Sequence, residues 1–233
     1  MAIFVFPNHR FIMPEIIFQI TEDGSHTLYV PHMDEHYHSI HGAVQESKFV
    51  FIKAGMLASE VEHPSIFEVG FGTGLNAFLT AIEAIDNHKT IRYTSVELYP
   101  LNSQQAMQLN YSERLGYPDI FRQIHAAKWN EWQVIGEYFQ LRKINADFLK
   151  LQLEENEYDV IYFDAFAPNK QVALWQQGLF DKLFCSLKPQ GIFVTYCAKG
   201  IVRRMLQASG FVVERLPGPP GKHEMLRGHK PNF

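Results

Sequence analysis

The chain has 233 residues, 46% of them hydrophobic, with a formal net charge of −4. That is enough apolar material for one well-packed α/β domain and little more, and it excludes a disordered or low-complexity chain. The negative balance argues against indiscriminate nucleic-acid binding, and two cysteines, Cys185 and Cys197, make neither a disulfide framework nor a cysteine metal site.

Met1 to Phe6 is apolar but has no basic leader and soon meets Pro7, Asn8, His9 and Arg10. It reads as neither a signal peptide nor a membrane span, so a cytoplasmic protein is expected. Glu15 to Val30 reads as a β-hairpin, with Ile16–Ile20 and Thr27–Val30 flanking the turn residues Glu22-Asp23-Gly24-Ser25. The run from His32 to His41 is rich in histidine, and His32 and His36 stand at the i, i+4 zinc spacing. Nothing nearby fixes a third ligand, and no metal is expected. Gly42 to Leu57 has helical spacing, with Val44, Phe49, Ile52 and Met56 sharing a face. Residues 1–60 are therefore expected to form an extension, hairpin plus helix, packed on a domain covering 61–233.

From residue 65 onward strands and helices alternate. Strands are expected at Ser65–Val69, Arg92–Glu97, Gln140–Ile144, Tyr158–Phe163 and Gly191–Cys197. Helices are expected at Asn76–Asp86, Asn102–Leu115, Trp129–Phe139, Val172–Leu187 and Ile201–Ser209. Phe211–Leu216 and His223–Arg227 close the series as a hairpin. The alternation predicts a Rossmann-like α/β fold: a mostly parallel seven-stranded sheet with helices on both faces.

Phe67 to Asn76 (Phe-Glu-Val-Gly-Phe-Gly-Thr-Gly-Leu-Asn) ends a strand in a glycine-rich turn and opens a helix. Glycines allow close backbone approach to a ligand, and the helix start offers free N–H groups. Leu75 stands where the dinucleotide fingerprint has its third glycine. Glu68 would repel a pyrophosphate but suits a ligand carrying an ammonium group, such as S-adenosylmethionine. The strand Ile91–Glu97 then ends in a carboxylate, placed to accept ribose hydroxyls. Asp147, after the third expected strand, is open to two readings, an adenine contact or an N-cap. The strand Tyr158–Phe163 runs into Asp164-Ala165-Phe166-Ala167-Pro168, beyond the carboxyl end where ligands of open parallel sheets sit. This places Asp164 and Phe166 beside the glycine turn, in preference to Asp164 as a helix cap.

Charge is unevenly spread. From Lys182 to Phe233 the balance is +7, against −11 before it. Such asymmetry fits either a polyanion-docking face or ordinary surface charge.

Phe67–Asn76, Val96–Leu101, Asp164–Lys170, Leu174-Trp175 and the tail from Gly200–Arg204 to Lys222–Leu226 together resemble the methyltransferase module of MnmC and its stand-alone form, MnmD. The resemblance spans residues 14 to 228 in order. It implies a class I methyltransferase that uses S-adenosylmethionine to N-methylate 5-aminomethyl-2-thiouridine at the tRNA wobble position. It implies cofactor contacts from Glu68, Gly70, Phe71, Gly72, Thr73, Gly74, Asn76, Glu97, Asp147 and Asp164. Asp164 and Phe166 would serve the acceptor, with Lys199, Arg203, Arg204, Lys222 and Arg227 on tRNA phosphates. Separate enzymes would supply the aminomethyl precursor, and no oxidase domain is expected after Phe233. Gly218–His223 is less basic than the family pattern. Three other readings are weighed: a methyltransferase for another amine, a nicotinamide oxidoreductase, which Leu75 and Glu68 disfavour, and a non-catalytic nucleotide-binding module, which Asp164 disfavours.

Overall fold

The computed structural model describes residues 15–232, so the expectation for Met1–Phe6 lies outside the described residues. The chain opens with β1 (Ile17–Ile20) and β2 (His26–Val30), paired antiparallel in the register Ile17 to Tyr29, as the hairpin pattern predicts. A short third strand, β3 (Glu35–His36), joins them through Tyr29 and Val30. The hairpin turn is built on Asp23. Its carboxylate accepts from Thr21 Oγ1 (2.8 Å), from the Ser25 N–H (2.9 Å) and, across the chain, from the Gln45 N–H (3.0 Å).

The expected helix over 42–57 is three shorter pieces: α1 (Ala43–Ser47), a π-helical stretch Lys48–Lys53 and a 3-10 turn Met56–Ala58. The wider π turn buries Val50, Phe51 and Ile52 in succession, which a single α-helix face does not do.

The main sheet follows. In chain order its elements are β4 (Ser65–Val69), α2 (Leu75–Asp86), β5 (Ile91–Glu97), α3 (Ser103–Ala106), α4 (Tyr111–Leu115) and α5 (Pro118–Ala126). Then come β6 (Trp132–Ile135), β7 (Phe139–Asn145), β8 (Tyr158–Phe163), α6 (Gln177–Ser186), β9 (Leu187–Thr195), α7 (Gly200–Ser209), β10 (Val212–Pro217) and β11 (Glu224–His229). Among the described residues the sheet has eight strands, in the order β10-β11-β9-β8-β4-β5-β7-β6. The five strands β9-β8-β4-β5-β7 are parallel, β6 and β11 run against them, and β10, antiparallel to β11, returns to the common direction.

The eighth strand is a correction. Trp129–Phe139 is not a helix but the start of a hairpin. Asn130 and Gly136 both take left-handed backbone (φ 66° and 62°), which breaks any helix there, and Ile135 pairs with Phe139 across Gly136-Glu137-Tyr138. Arg92 stacks on Trp132 at 4.7 Å from the ring centroid. The helix of this crossover lies earlier, at α5. Two other expected helices are interrupted. Asn102–Leu115 splits into α3, opened by an Asn102–Gln105 capping box, and α4; Val172–Leu187 becomes a 3-10 turn, Val172–Leu174, followed by α6.

β4 and β8 lie at the centre and read as nearly continuous apolar runs, as strands covered on both faces must. Alternate side chains enter opposite cores. Ile66, Val160 and Tyr162 join α2 and α5 on one face; Phe67, Val69, Ile161 and Phe163 join α6 and α7 on the other. Among the described residues no helix is long and apolar enough to cross a membrane.

The two layers predict opposite responses to truncation. Phe180 is fully buried against Phe163 and Phe193, with centroids 5.4 and 6.2 Å away. Phe180→Ala should cost about 3–5 kcal/mol in urea unfolding at unchanged m. Val134, 71% exposed on the edge strand β6, should change stability by no more than about 0.5 kcal/mol as Val134→Ala; a loss like that of Phe180 would contradict its place at the edge.

Candidate active site

β4 and β8 are neighbours, with Val69 opposite Phe163, and their following segments leave from the same end of the sheet. That junction is where a cleft opens in sheets of this kind. Here it holds a cavity of about 670 Å³, lined among others by Gly70–Thr73, Asn76, Glu97, Asp147, Asp164 and Phe166. The sequence-predicted residues are thus brought together, although Glu68 and Gly74 stand behind the wall.

The glycine turn has the conformation its residues predict. Gly70 and Gly72 take positive φ (94° and 50°), and a Cβ on Gly70 would lie 2.6 Å from the Asp164 carbonyl oxygen. Only glycine lets the two loops approach so closely. Glu97 extends from the tip of β5 and ties the turn: Oε2 accepts from the Gly72 N–H (3.0 Å) and Oε1 from the Tyr99 N–H (2.8 Å). Asp147 lines the cavity and accepts from the Leu149 N–H (3.0 Å) within a turn; no helix starts there, so it is not a helix N-cap.

Glu68 does not reach the cavity. It is fully buried at the end of β4, where Oε2 accepts from Ser95 Oγ (2.6 Å) and Oε1 from Asn76 Nδ2 (3.0 Å). The same Asn76 nitrogen donates to Asp164 Oδ2 at 2.8 Å. Glu68 therefore acts on the cavity through Asn76, from beneath, and does not present a bare carboxylate to a ligand. Asp164 takes this side-chain amide in place of a backbone N–H of the following turn, so it is not a helix cap.

Both carboxyls hold their protons more tightly than usual. Burial raises Glu68 to about 7, against the pull of its Ser95 and Asn76 donors. Burial, then the negative charges of Glu68 and Glu46, carry Asp164 well above the ordinary carboxylate range; the Asn76 hydrogen bond and Lys222 oppose this.

Several lining residues have no local signal in the sequence. Tyr37, from the histidine-rich segment, packs edge-on against Phe166 (centroids 5.1 Å, 82°). Phe166 is further fixed where its carbonyl oxygen accepts from Trp175 Nε1 (2.7 Å). Glu46 reaches in from α1, and Tyr196 from just beyond β9. His38, buried and held below the ordinary imidazole range at about 4, lies 3.4 Å from Thr73 Oγ1. The histidine run is thus a wall of the cavity, and among the described residues no three His, Cys, Asp or Glu side chains gather as a metal site.

The five expected phosphate contacts divide. Lys199 and Arg204 are exposed and Arg203 is half-buried, at the start of α7. Arg227, in contrast, is engaged within the sheet by Glu214 (2.9 and 2.8 Å). Lys222 turns inward to pair with Glu46. Both are engaged by carboxylates within the fold, pairing on which a count of charge along the chain carries no information.

The raised Glu68 has a consequence for stability. A carboxyl whose folded pKa exceeds its unfolded value contributes stability that is complete below the unfolded value, near 4.5, and is lost as pH rises through about 7. Urea unfolding at pH 5 and pH 8 should show the wild type losing on the order of 3 kcal/mol more than Glu68→Gln over this interval. Identical pH profiles for the two proteins would show that Glu68 is ionised throughout.

The segment 119–231 matches a family model described as S-adenosyl-L-methionine-dependent methyltransferase. Relatives include the tRNA 5-methylaminomethyl-2-thiouridine biosynthesis bifunctional proteins MnmC of Nitrosospira multiformis, 30% identical over 88% of this chain, and of Idiomarina loihiensis, 32% identical over 84%. The chain spans about a third of the length of these relatives, 35% and 36% respectively. Among solved structures, MnmC2 of Aquifex aeolicus superposes with a TM-score of 0.72 at 23% identity, covering 94% of this chain and 73% of that one. Spermidine synthase of Thermotoga maritima gives 0.54 at 11% identity, covering 97% and 82%. These two likenesses establish the Rossmann-like fold. Over residues 119–231 the chain is thus similar in sequence to the S-adenosyl-L-methionine-dependent methyltransferases, and it has a Rossmann-like fold.

Proposed function

We propose that this chain methylates the exocyclic amine of 5-aminomethyl-2-thiouridine at the wobble position of tRNA, giving 5-methylaminomethyl-2-thiouridine, in the cytoplasm. The observation that carries this reading is Asp164, held by Asn76 at 2.8 Å on the cavity wall beside the glycine turn, with Phe166 and Tyr37 flanking it. The names of the MnmC relatives supply the acceptor. Separate enzymes would provide the aminomethyl precursor.

The residues present fit the cofactor. The glycine turn lets a ligand lie against the backbone, and Gly72 has only Tyr37 near the space a Cβ would take, at 3.1 Å. The backbone of Gly70–Thr73, with Glu97 and Asp147, would hold the nucleoside end. Bound there, S-adenosylmethionine supplies a methyl group on a cationic sulfur, already activated for displacement. Binding the acceptor in line can account for several kcal/mol of the barrier.

An alkylamine arrives mostly protonated at neutral pH and must shed a proton to expose its lone pair. An ordinary aspartate is too acidic to take it. Asp164, raised by burial and by Glu68 and Glu46, is a far better match. Asn76 holds one carboxylate oxygen, Oδ2, and leaves Oδ1 for the amine. Phe166 and Tyr37 provide aromatic surface for a base splayed out of a single-stranded loop.

The direct test is mass spectrometry of tRNA nucleosides after incubation with labelled S-adenosylmethionine; label on 5-aminomethyl-2-thiouridine is expected, and its absence rejects the acceptor. Asp164→Ala should lose two to four decades of rate, about 3–5 kcal/mol, while S-adenosylhomocysteine still stabilises the protein. The wild-type rate should climb as pH rises through the raised Asp164 value. Asp164→Asn should show no such limb if the carboxylate takes the proton. Arg203→Ala with Arg204→Ala should weaken tRNA binding and lower its salt slope by up to about one unit per lost phosphate contact; an unchanged slope would place the footprint elsewhere.

A further inference from the structure

Lys222 sits in the tight loop between β10 and β11. Gly218 N–H donates to the His223 carbonyl (3.0 Å) and Lys222 N–H to that of Pro219 (2.9 Å). From this loop the side chain turns inward and lines the main cavity. Its ammonium is bonded to Glu46 Oε1 and lies 4.0 Å from the centre of the Tyr196 ring. Both partners are held independently of it. Glu46, 6% exposed, accepts through Oε2 from the Ser39 N–H at 2.8 Å. Tyr196 donates its hydroxyl to the Ala165 carbonyl at 2.9 Å, beside Asp164.

A fixed carboxylate next to a fixed aromatic face is what recognises an ammonium ion. An ion pair with its carboxylate buried is a poor means of stabilising a fold, since desolvating Glu46 consumes much of the attraction. This one, moreover, places its cation on a long flexible stem that can swing out without moving the loop. Removing Lys222 alone would strand the Glu46 charge; exchanging it for another ammonium would not.

We propose that Glu46 and the face of Tyr196 form an alkylammonium subsite, that Lys222 fills it in the free protein, and that the acceptor's aminomethyl cation displaces Lys222 on entry. This deepens the amine-acceptor reading and rests on it. The exchange swaps one cation for another, so Glu46 is never left unpaired. A neutral substituent at the same carbon offers no such exchange, so Lys222 screens the entrant for charge before Asp164 meets it.

The test uses n-butylammonium chloride titrated into the protein loaded with S-adenosylhomocysteine, followed by NMR shifts, with 1-butanol as the neutral control. Lys222→Met, with Lys222→Gln as a second variant, should bind butylammonium at least tenfold more tightly than wild type, with no change toward butanol. Adding Glu46→Gln should abolish the gain, because the amide still accepts from Ser39 but carries no charge. Retained S-adenosylhomocysteine binding certifies the fold of each variant. Wild-type affinity in both Lys222 variants, or a gain that survives Glu46→Gln, would overturn the subsite. The substrate reading fails separately: if wild-type protein leaves tRNA bearing 5-aminomethyl-2-thiouridine unmethylated, the acceptor is wrong, while the butylammonium result still decides the subsite.

Discussion

A single side-chain amide holds the candidate site together. Asn76 donates to Glu68 from β4 and to Asp164 just beyond β8, and it sits in the first turn of α2, directly after the glycine turn. Three elements that meet at the sheet's switch point are thereby tied through one nitrogen. The arrangement costs something. Both donated bonds come from Nδ2, and Oδ1 is buried with no partner. An unpaired buried acceptor is tolerated in few places, most often where geometry serves a site. Without this tie, two carboxyls near each other in a poorly solvated space would repel.

The cavity is accordingly an acidic one. Asp164 and Glu97 line it, Glu46 closes one side and Glu68 lies beneath, with Lys222 as the cation among them. Such a lining favours positively charged occupants and resists anions. The glycine turn fits that bias, since it binds through backbone and offers no basic side chain for a phosphate. A sulfonium donor and an ammonium acceptor both satisfy it, whereas a pyrophosphate-bearing dinucleotide does not.

Much of this was legible from local pattern. The strand-turn-helix at Phe67–Asn76, the carboxylate after β5 and the acid after β8 each depend on a few adjacent residues whose chemistry is fixed by type. The strands β4, β5 and β8 were each legible as short apolar runs. What escaped the reading depends on distant parts of the chain. Trp129–Phe139 is equally apolar at helical and strand spacing, and only the left-handed Asn130 and Gly136 decide it. Tyr37, Glu46 and Tyr196 look ordinary in sequence and become cavity lining only when the hairpin and the segment after it pack beside the sheet. Glu68 was legible as a carboxylate near the turn, but the side of the strand it faced was not. Lys222 and Arg227 counted as free positive charge until their carboxylate partners, far away in sequence or across a hairpin, were in place.

The docking of that first segment bears on the order in which the protein matures. The hairpin is held by His26 N–H on Asn110, by Asn110 on the Gly24 carbonyl and by the Tyr111 hydroxyl on the His26 carbonyl, bonds that close loops of 84 to 86 residues. Loop closure of that span is entropically expensive until α4 is already in position. The hairpin must therefore wait for residues beyond 110 before it can settle, and with it wait Tyr37, His38 and Glu46. The sheet and its glycine turn can assemble ahead of them. The glycine turn would thus form before the cavity wall that Tyr37, His38 and Glu46 provide, and local unfolding of that wall would open the cavity while leaving the sheet intact.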